Sequence, residues 1–250
     1  MRGLSAQELL EVWDQGQSLS PCGRATLLLA VTCPEYPRQR LDSLTIGERD
    51  ALLARIRTCT FGRDLASVVT CPACRELVEV SVDMRSIFPD MTQAAPIEGT
   101  SREPLVIAVG DFLVQAVIPP IGDVEAIVTT ATSAEELRLL LRRCILRAEH
   151  RGKPYEVDDL PEDVCALIDS RMAEADPQGN VHLSLRCPGC DHRWLLLFDM
   201  LAYFWSEIQM GARRLLREIH LLASAYGWRE SEILTLSVTR RRAYLELVGG

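Results

Sequence analysis

The sequence predicts an α+β protein that is mostly helical, is built around a split four-cysteine ribbon and carries a small inserted α/β subdomain. Three observations lead to this fold class. Two Cys-Pro-x-Cys pairs lie far apart in the chain, β-prone runs flank each pair, and capped helical periodicity fills most of the remaining sequence. The 250 residues are 48% apolar and 25% charged, and this composition excludes a disordered chain.

The N-terminal region, residues 1–62, has the sequence pattern of three helices. Ser5 to Glu8 and Thr45 to Glu48 are two capping-box patterns, and each precedes apolar residues at helical spacing. Ser20-Pro21 supplies a cap and a first-turn proline for the helix between them, and Gly62 marks the end of the third.

Each cysteine pair is framed by two β-prone runs, which predicts the same strand, knuckle and strand twice. The first pair is Cys71 and Cys74, and the second is Cys187 and Cys190. In both units an Asp-Met dipeptide begins twelve residues after the first cysteine. Two such knuckles can face each other and supply four thiolates to one tetrahedral Zn²⁺. The sequence therefore predicts a split zinc ribbon with one structural Zn²⁺ per chain, because four sulfur ligands leave no coordination position open.

The main alternative for these cysteines is a redox pair of the thioredoxin type, which needs one Cys-x-x-Cys at the start of a helix. Neither pair directly precedes a predicted helix. His192, two residues beyond Cys190, could replace a ligand, although a position at the rim of the site is favoured. The other five cysteines are predicted to be small buried apolar residues. They are Cys22, Cys33, Cys59, Cys144 and Cys165.

Residues 87–179 lie between the two ribbon halves, which are residues 63–86 and 180–199. This stretch is predicted to form the inserted subdomain, with a proline-containing linker before a hairpin that turns at Gly110-Asp111. Its predicted elements are the linker at 87–103, the hairpin at 104–118 and helices at about 121–131, 134–148 and 161–175.

The C-terminal region, residues 200–250, is predicted to be a long helix over 200–226 followed by two short helices. Asp199 is the expected cap of the long helix, and apolar residues recur along one stripe of it. Large aromatic and arginine side chains in this region are candidate partner contacts, since interfaces favour such anchors. They are Trp205, Tyr226, Trp228, Arg240, Arg241 and Arg242.

Charge and motif content exclude several function classes. The formal net charge of −8 argues against a general nucleic-acid coat protein, which usually carries positive charge. There is no glycine-rich phosphate loop, GxSxG elbow or HExxH motif, so the sequence gives no reason to propose an enzyme or a small-molecule substrate. No signal peptide or long apolar run is present, which predicts a cytoplasmic protein without a membrane segment.

A set of segments spread over most of the chain carries a family resemblance. They are Leu44 to Leu53, Thr60-Phe61-Gly62, the two cysteine pairs, Trp194, Phe198-Asp199, Leu221 to Trp228, Glu232-Ile233-Leu234 and Arg241 to Leu245. This set resembles the family of T4-like phage baseplate assembly proteins, which are found with contractile tails and extracellular contractile injection systems. The knuckles of that family commonly carry glycine after the second cysteine, where this chain has Arg75 and Asp191.

The resemblance implies a non-enzymatic component or assembly factor of a baseplate, in the cytoplasm or incorporated in a phage-tail-like particle. Its partners would be other baseplate or hub proteins rather than nucleic acid. The alternative is a zinc-ribbon module that binds nucleic acid or acts in transcription. Acidic residues near the knuckles offset the few arginines there, which disfavours that alternative.

Overall fold

The computed structural model describes residues 2–89, 103–128 and 133–249, and its architecture is mixed α/β with mainly helical content. Helices and strands are numbered in chain order. The helices are α1 (Ala6–Gly16), α2 (Pro21–Thr32), α3 (Arg38–Asp42), α4 (Ile46–Phe61), α5 (Met84–Ile87), α6 (Ile121–Val128), α7 (Ser133–Cys144), α8 (Glu162–Ala175), α9 (Met200–Tyr226), α10 (Glu230–Thr235) and α11 (Val238–Gly249). The strands are β1 (Asp64–Thr70), β2 (Leu77–Asp83), β3 (Leu105–Val109), β4 (Phe112–Ala116), β5 (Ile145–His150), β6 (Lys153–Pro154), β7 (His182–Arg186) and β8 (Arg193–Leu197).

The N-terminal helices begin at the caps that the sequence predicts. The Ser5 hydroxyl accepts a hydrogen bond from the Glu8 N–H, and the Glu8 carboxylate accepts one from the Ser5 N–H at 2.9 Å, which completes the capping box of α1. Thr45 and Glu48 make the same reciprocal pair at the start of α4. Ser20 caps α2. The short α3 is an addition to the three predicted helices, and it spans five residues.

Each cysteine pair lies at the turn of a two-stranded antiparallel hairpin, one formed by β1 and β2 and the other by β7 and β8. Both hairpins lead into a helix through an aspartate cap. The Asp83 carboxylate accepts from the Arg85 N–H at 2.8 Å, and the Asp199 carboxylate accepts from the Ala202 N–H at 2.9 Å. The methionine after each cap, Met84 or Met200, is fully buried. The repeated Asp-Met dipeptide therefore marks a repeated hairpin-to-helix junction.

The insertion contains a four-stranded antiparallel sheet in the order β3-β4-β5-β6. The hairpin of β3 and β4 turns at Gly110, as predicted, and the φ of +56° at Gly110 suits glycine. The predicted helix over 134–148 is wrong in its last part, because α7 ends at Cys144 and β5 follows. Ile145 and Ala148 of β5 are buried in the apolar cluster that the sheet shares with α7 and α8, and pairing with β4 supplies the backbone hydrogen bonds.

The other elements of the insertion agree with the sequence in type. α6 and α8 lie within two of the predicted helices, and β6 is a two-residue strand that the sequence did not indicate. Of the predicted linker at 87–103, residues 90–102 lie outside the described residues, as does the end of the predicted helix at 121–131.

The C-terminal region follows the predicted order of one long and two short helices. α9 spans 27 residues and ends at Tyr226, and the C-cap Gly227 has a φ of +68°, the left-handed conformation that favours glycine. Along the described parts of the chain, no helix is both long and apolar enough to cross a membrane.

Buried apolar side chains fall into three clusters. The largest joins α1, α2, α4 and α9, and Leu53 and Phe204 within it are fully buried. The second lies between the four-stranded sheet and helices α7 and α8. The smallest lies at the knuckles and contains Cys71, Val78 and Cys187. The residue boundaries of the four predicted regions stay predictions.

A buried ion pair holds α9 against α4 and the start of the first hairpin. The Arg57 guanidinium donates to both carboxylate oxygens of Glu207, at 2.8 and 2.6 Å. It also donates to the carbonyls of Gly62 and Asp64, at 2.9 and 2.8 Å. The Tyr203 hydroxyl donates to a carbonyl of β1 at 3.0 Å. Through these bonds, α4, β1 and α9 keep one relative orientation next to the cysteine pairs.

Candidate metal centre

The two cysteine pairs meet in space. The four sulfur atoms all lie within 4.8 Å of one another, although 113 to 119 residues separate the contacting cysteines in sequence. The Cys71 and Cys190 sulfurs are 3.7 Å apart, and those of Cys74 and Cys187 are 3.5 Å apart. In each pair the first cysteine is buried and the second is exposed.

The backbone of the two knuckles is the same. In the first, the Cys71 N–H donates to the Glu76 carbonyl at 2.8 Å, and the Arg75 N–H donates to the Cys71 carbonyl at 2.9 Å. In the second, the Cys187 N–H donates to the His192 carbonyl at 2.9 Å, and the Asp191 N–H donates to the Cys187 carbonyl at 3.0 Å. Because the two turns have the same hydrogen bonds, each knuckle places its two sulfur atoms on the side that faces the other knuckle.

The residue after each second cysteine adopts the left-handed backbone conformation. The φ of Arg75 is +64° and that of Asp191 is +60°. These are the two positions at which the resemblance leads one to expect glycine, and a non-glycine residue there costs about 1–2 kcal/mol. Aspartate tolerates this conformation better than arginine does, because its short polar side chain can bond locally. The turn persists in both knuckles despite this cost.

The sulfur separations distinguish a metal site from a disulfide. A disulfide would place two sulfurs about 2.05 Å apart, whereas four thiolates bound to one tetrahedral Zn²⁺ at about 2.3 Å lie about 3.8 Å apart. The separations of 3.5 and 3.7 Å are close to the tetrahedral value, and all four cysteines are free of disulfides. The four side chains therefore lie close enough to bind a single metal ion.

Backbone N–H groups favour the thiolate form of Cys71. The N–H of Cys74, which has the largest effect, and the N–H of Ala73 lower the pKa of the Cys71 thiol to about 7. At Cys74, the N–H of Glu76 lowers the pKa, but the neighbouring thiols, with Cys190 first and then Cys187 and Cys71, outweigh it and raise the pKa to about 12. Sulfurs this close resist ionising together, and a bound cation would offset their repulsion.

The surroundings of the site are partly apolar and include one carboxylate. Val69 and Trp194 pack against the smallest apolar cluster, and the Cys187 sulfur lies 3.9 Å from a carboxylate oxygen of Glu76. The His192 ring stacks on Trp194, with the ring centroids 6.0 Å apart. Among the described residues, the group that could hold a metal here consists of the four cysteines and does not include His192. Its position agrees with the prediction of a rim residue.

The five remaining cysteines differ from the cluster in environment. Cys33 and Cys144 are buried, Cys22 and Cys165 are half-buried, and Cys59 is exposed, so burial is not shared by all five as the sequence predicted. Burial raises the pKa of the Cys144 thiol to about 12 and also raises the pKa of the Cys33 thiol. These two thiols stay protonated at neutral pH and behave as apolar side chains.

The predicted partner-binding residues fall into two groups by exposure. Trp205 is 5% exposed and Arg241 is 4% exposed, contrary to what a partner contact requires. Trp205 packs in the largest apolar cluster, and Arg241 donates to Glu218 at 2.6 Å. Trp205 also lies on the apolar stripe of the long helix, for which core packing is the expected role, and its burial agrees with that. Nothing in the arginine run indicated that Arg241 points inward, so sequence reasoning missed that burial.

The other predicted partner residues reach the surface. Tyr226 and Trp228 stack with ring centroids 4.7 Å apart, and both rings contact Tyr244 edge-on, at 5.7 and 4.9 Å. Arg240 and Arg242 are exposed on α11. Tyr244 was not predicted as a site residue, although it lies in the Arg241 to Leu245 segment that carries the family resemblance.

Comparison with known proteins identifies one family. The family described as T4 bacteriophage base plate protein matches residues 27–205, a stretch that contains both cysteine pairs and the inserted sheet. No match was found among curated proteins, and none among solved structures. A match over most of the chain supports a structural role in a baseplate, as the sequence resemblance implied. The chain therefore belongs to the T4 bacteriophage base plate protein family.

Proposed function

We propose that the protein is a non-enzymatic structural component or assembly factor of the baseplate of a phage-tail-like contractile injection system. It acts through contacts with other baseplate or hub proteins and holds one structural Zn²⁺. The family match over residues 27–205 is the observation that carries the proposal. The four-cysteine cluster, which lies inside the matched stretch, supports the metal.

The ion acts as a clip between distant parts of the chain. β1 follows α4 with two residues between them, and β8 leads through Asp199 into α9. Four thiolates from both hairpins thus fix the start of α9 relative to the end of α4. Zn²⁺ suits this role because it has no redox chemistry and accepts four thiolates in a closed tetrahedron. The ion thereby keeps the helices that form a protein-binding surface in one relative orientation.

The proposed contact surface of the C-terminal helices is an aromatic group formed by Tyr226, Trp228 and Tyr244. The exposed Arg240 and Arg242 lie close to Tyr244 in sequence. Aromatic and arginine side chains are enriched among the interface residues that contribute most of the binding free energy. Tyr226 is 38% exposed, so this group presents ring surface to a partner without unfolding.

Two measurements test the proposal. The full chain, tagged and expressed in its native cell, should recover the products of neighbouring baseplate genes, and the purified chain should contain one zinc per molecule. Recovery of no baseplate protein would refute the function, and a chain without metal after gentle purification would refute the clip.

The nucleic-acid alternative makes a different prediction. A zinc-ribbon module of that class would bind duplex DNA or RNA with an affinity that falls steeply as salt rises. Salt-dependent binding of this kind by the wild-type chain, together with failure to recover baseplate proteins, would support the alternative instead.

A further inference from the structure

The outward face of α9 carries charged side chains that have no partner among the described residues. The residues of α9 that pack inward recur at helical spacing and include Phe204, Ile208, Leu215 and Leu222, all at most 4% exposed. The opposite face is exposed from Ser206 to Ser224, which corresponds to about 27 Å of helix. It carries Met210, Arg213, Arg217, His220 and Leu221.

The acidic side chains of α9 do not neutralise this face. The helix contains two carboxylates, Glu207 and Glu218. Glu207 binds the buried Arg57, and Glu218 binds the buried Arg241 at 2.6 Å, with Arg214 at 3.6 Å. Both carboxylates are therefore used inside the molecule.

The two central arginines of the face have no partner in the part of the chain that the structure describes. Arg213 and Arg217 lie one helical turn apart, and neither forms a hydrogen bond or ion pair with any residue in the described ranges. His220 lies a further turn along the same side. In a chain of net charge −8, this is a local positive stripe.

Apolar side chains flank the positive stripe. Met210 is 62% exposed and Leu221 is 47% exposed, so large apolar surfaces lie at both ends of the arginine pair. Methionine adapts to irregular partners and is common at binding surfaces. A ligand that fits this face must therefore offer carboxylates in the middle and apolar contact at both ends.

We propose that this face, defined by Met210, Arg213, Arg217, His220 and Leu221, docks an acidic amphipathic helix of a neighbouring baseplate protein. Carboxylates one turn apart on that helix would pair with Arg213 and Arg217, and its apolar residues would cover Met210 and Leu221. This inference rests on the proposed function and names the surface and the chemistry of the partner.

A protein helix fits the face better than a nucleic acid does. Two free arginines neutralise few phosphates, and the acidic remainder of the chain would repel a polyanion. Exposed apolar surface at Met210 and Leu221 gains nothing from a phosphate backbone, whereas an amphipathic helix buries it.

The test compares two full-length double variants that change the net charge equally. The first is Arg213→Glu with Arg217→Glu. The control is Arg38→Glu with Arg171→Glu, two exposed arginines on α3 and α8 that each form one surface ion pair. Both are compared with the wild type for recovery of baseplate proteins, zinc content and helical circular dichroism. We expect the α9 variant to bind the partner about tenfold more weakly or worse, since like charges would then meet across the interface.

A second measurement locates the partner's carboxylates. In the full chain carrying Arg213→Lys and Arg217→Lys, zero-length carbodiimide coupling joins a lysine amine to a carboxylate in contact with it. We expect coupling from positions 213 and 217 to aspartate or glutamate residues three or four apart in a helical segment of the partner. Coupling only at other sites would overturn the proposal.

The outcomes separate this inference from the proposed function. If the wild type and the α9 variant recover baseplate proteins equally, the α9 surface is refuted while the function stands. If the wild type recovers none, both are refuted. Binding of wild type to duplex DNA or to phosphatidylserine vesicles that the α9 variant loses would assign the face to a polyanion and refute the acidic helix.

Discussion

Removing one thiolate from the cysteine cluster should abolish metal binding and destabilise the hairpins. The substitution is Cys187→Ser, which replaces a buried ligand whose sulfur lies 3.5 Å from that of Cys74. The contacts of the cluster span 113 and 119 residues. For a cross-link that closes a loop of roughly that length, the chain-entropy relation gives about 5 kcal/mol. Since small domains have a net stability of about 5–15 kcal/mol, this loss is a large fraction of the total.

The assay combines metal analysis with urea unfolding. Wild type should carry one zinc per chain, and Cys187→Ser should carry none and unfold at a lower urea concentration. Helical circular dichroism should largely persist, because the largest apolar cluster contains none of the four cysteines. Chelator-treated wild type should resemble the variant, since metal-binding energy is also folding energy.

Cys59→Ser is the matched control. Cys59 is exposed and lies outside the cluster, so its replacement should keep the metal and change stability by less than about 0.5 kcal/mol. Full zinc content in Cys187→Ser, or an unchanged urea midpoint, would show that the clip has been assigned wrongly.

Three further predictions concern the helical part of the chain. Glu207→Ala should destabilise the protein by about 3–5 kcal/mol in urea unfolding, because it leaves Arg57 as an unpaired buried cation; a loss below 1 kcal/mol would contradict this. Burial raises the pKa of Asp50 to about 6, above the usual value of about 3.9 in an unfolded chain, so stability should fall by up to about 3 kcal/mol as pH rises from 4 through 6. Asp50→Asn should lose that pH dependence. Gly16→Ala should cost about 1–3 kcal/mol, because its Cβ would lie 2.2 Å from the Trp205 ring; an unchanged thermal midpoint would count against it.

Local elements were predictable because their determinants lie within a few residues. The capping boxes at Ser5 and Thr45 and the turn at Gly110 depend on side chains and backbone angles of adjacent positions. Residues 145–150 were not predictable in this way. Their apolar pattern suits a helix as well as a strand, and the hydrogen bonds offered by β4 decided between them.

The metal site was predictable to the level of its ligands. Two similar units with the same cysteine spacing, the same β-prone flanks and the same Asp-Met dipeptide indicated that Cys71, Cys74, Cys187 and Cys190 act together. No local signal indicated that Arg75 and Asp191 would keep the left-handed turn, which the knuckle hydrogen bonds maintain against its cost.

The sequence by itself determined the helix caps, the hairpin turns and which cysteines belong together, since these are set by neighbouring residues or by internal repetition. The apolar stripe of α9 also indicated that Trp205 faces the core and that Arg213 and Arg217 lie on the opposite side. Only the tertiary structure decided that Arg241 lies inside the molecule and that Arg213 and Arg217 have no partner among the described residues. The reason is physical. A helix presents arginines or aromatic rings on every side, and packing against the rest of the chain selects which of them meet a buried carboxylate and which meet solvent.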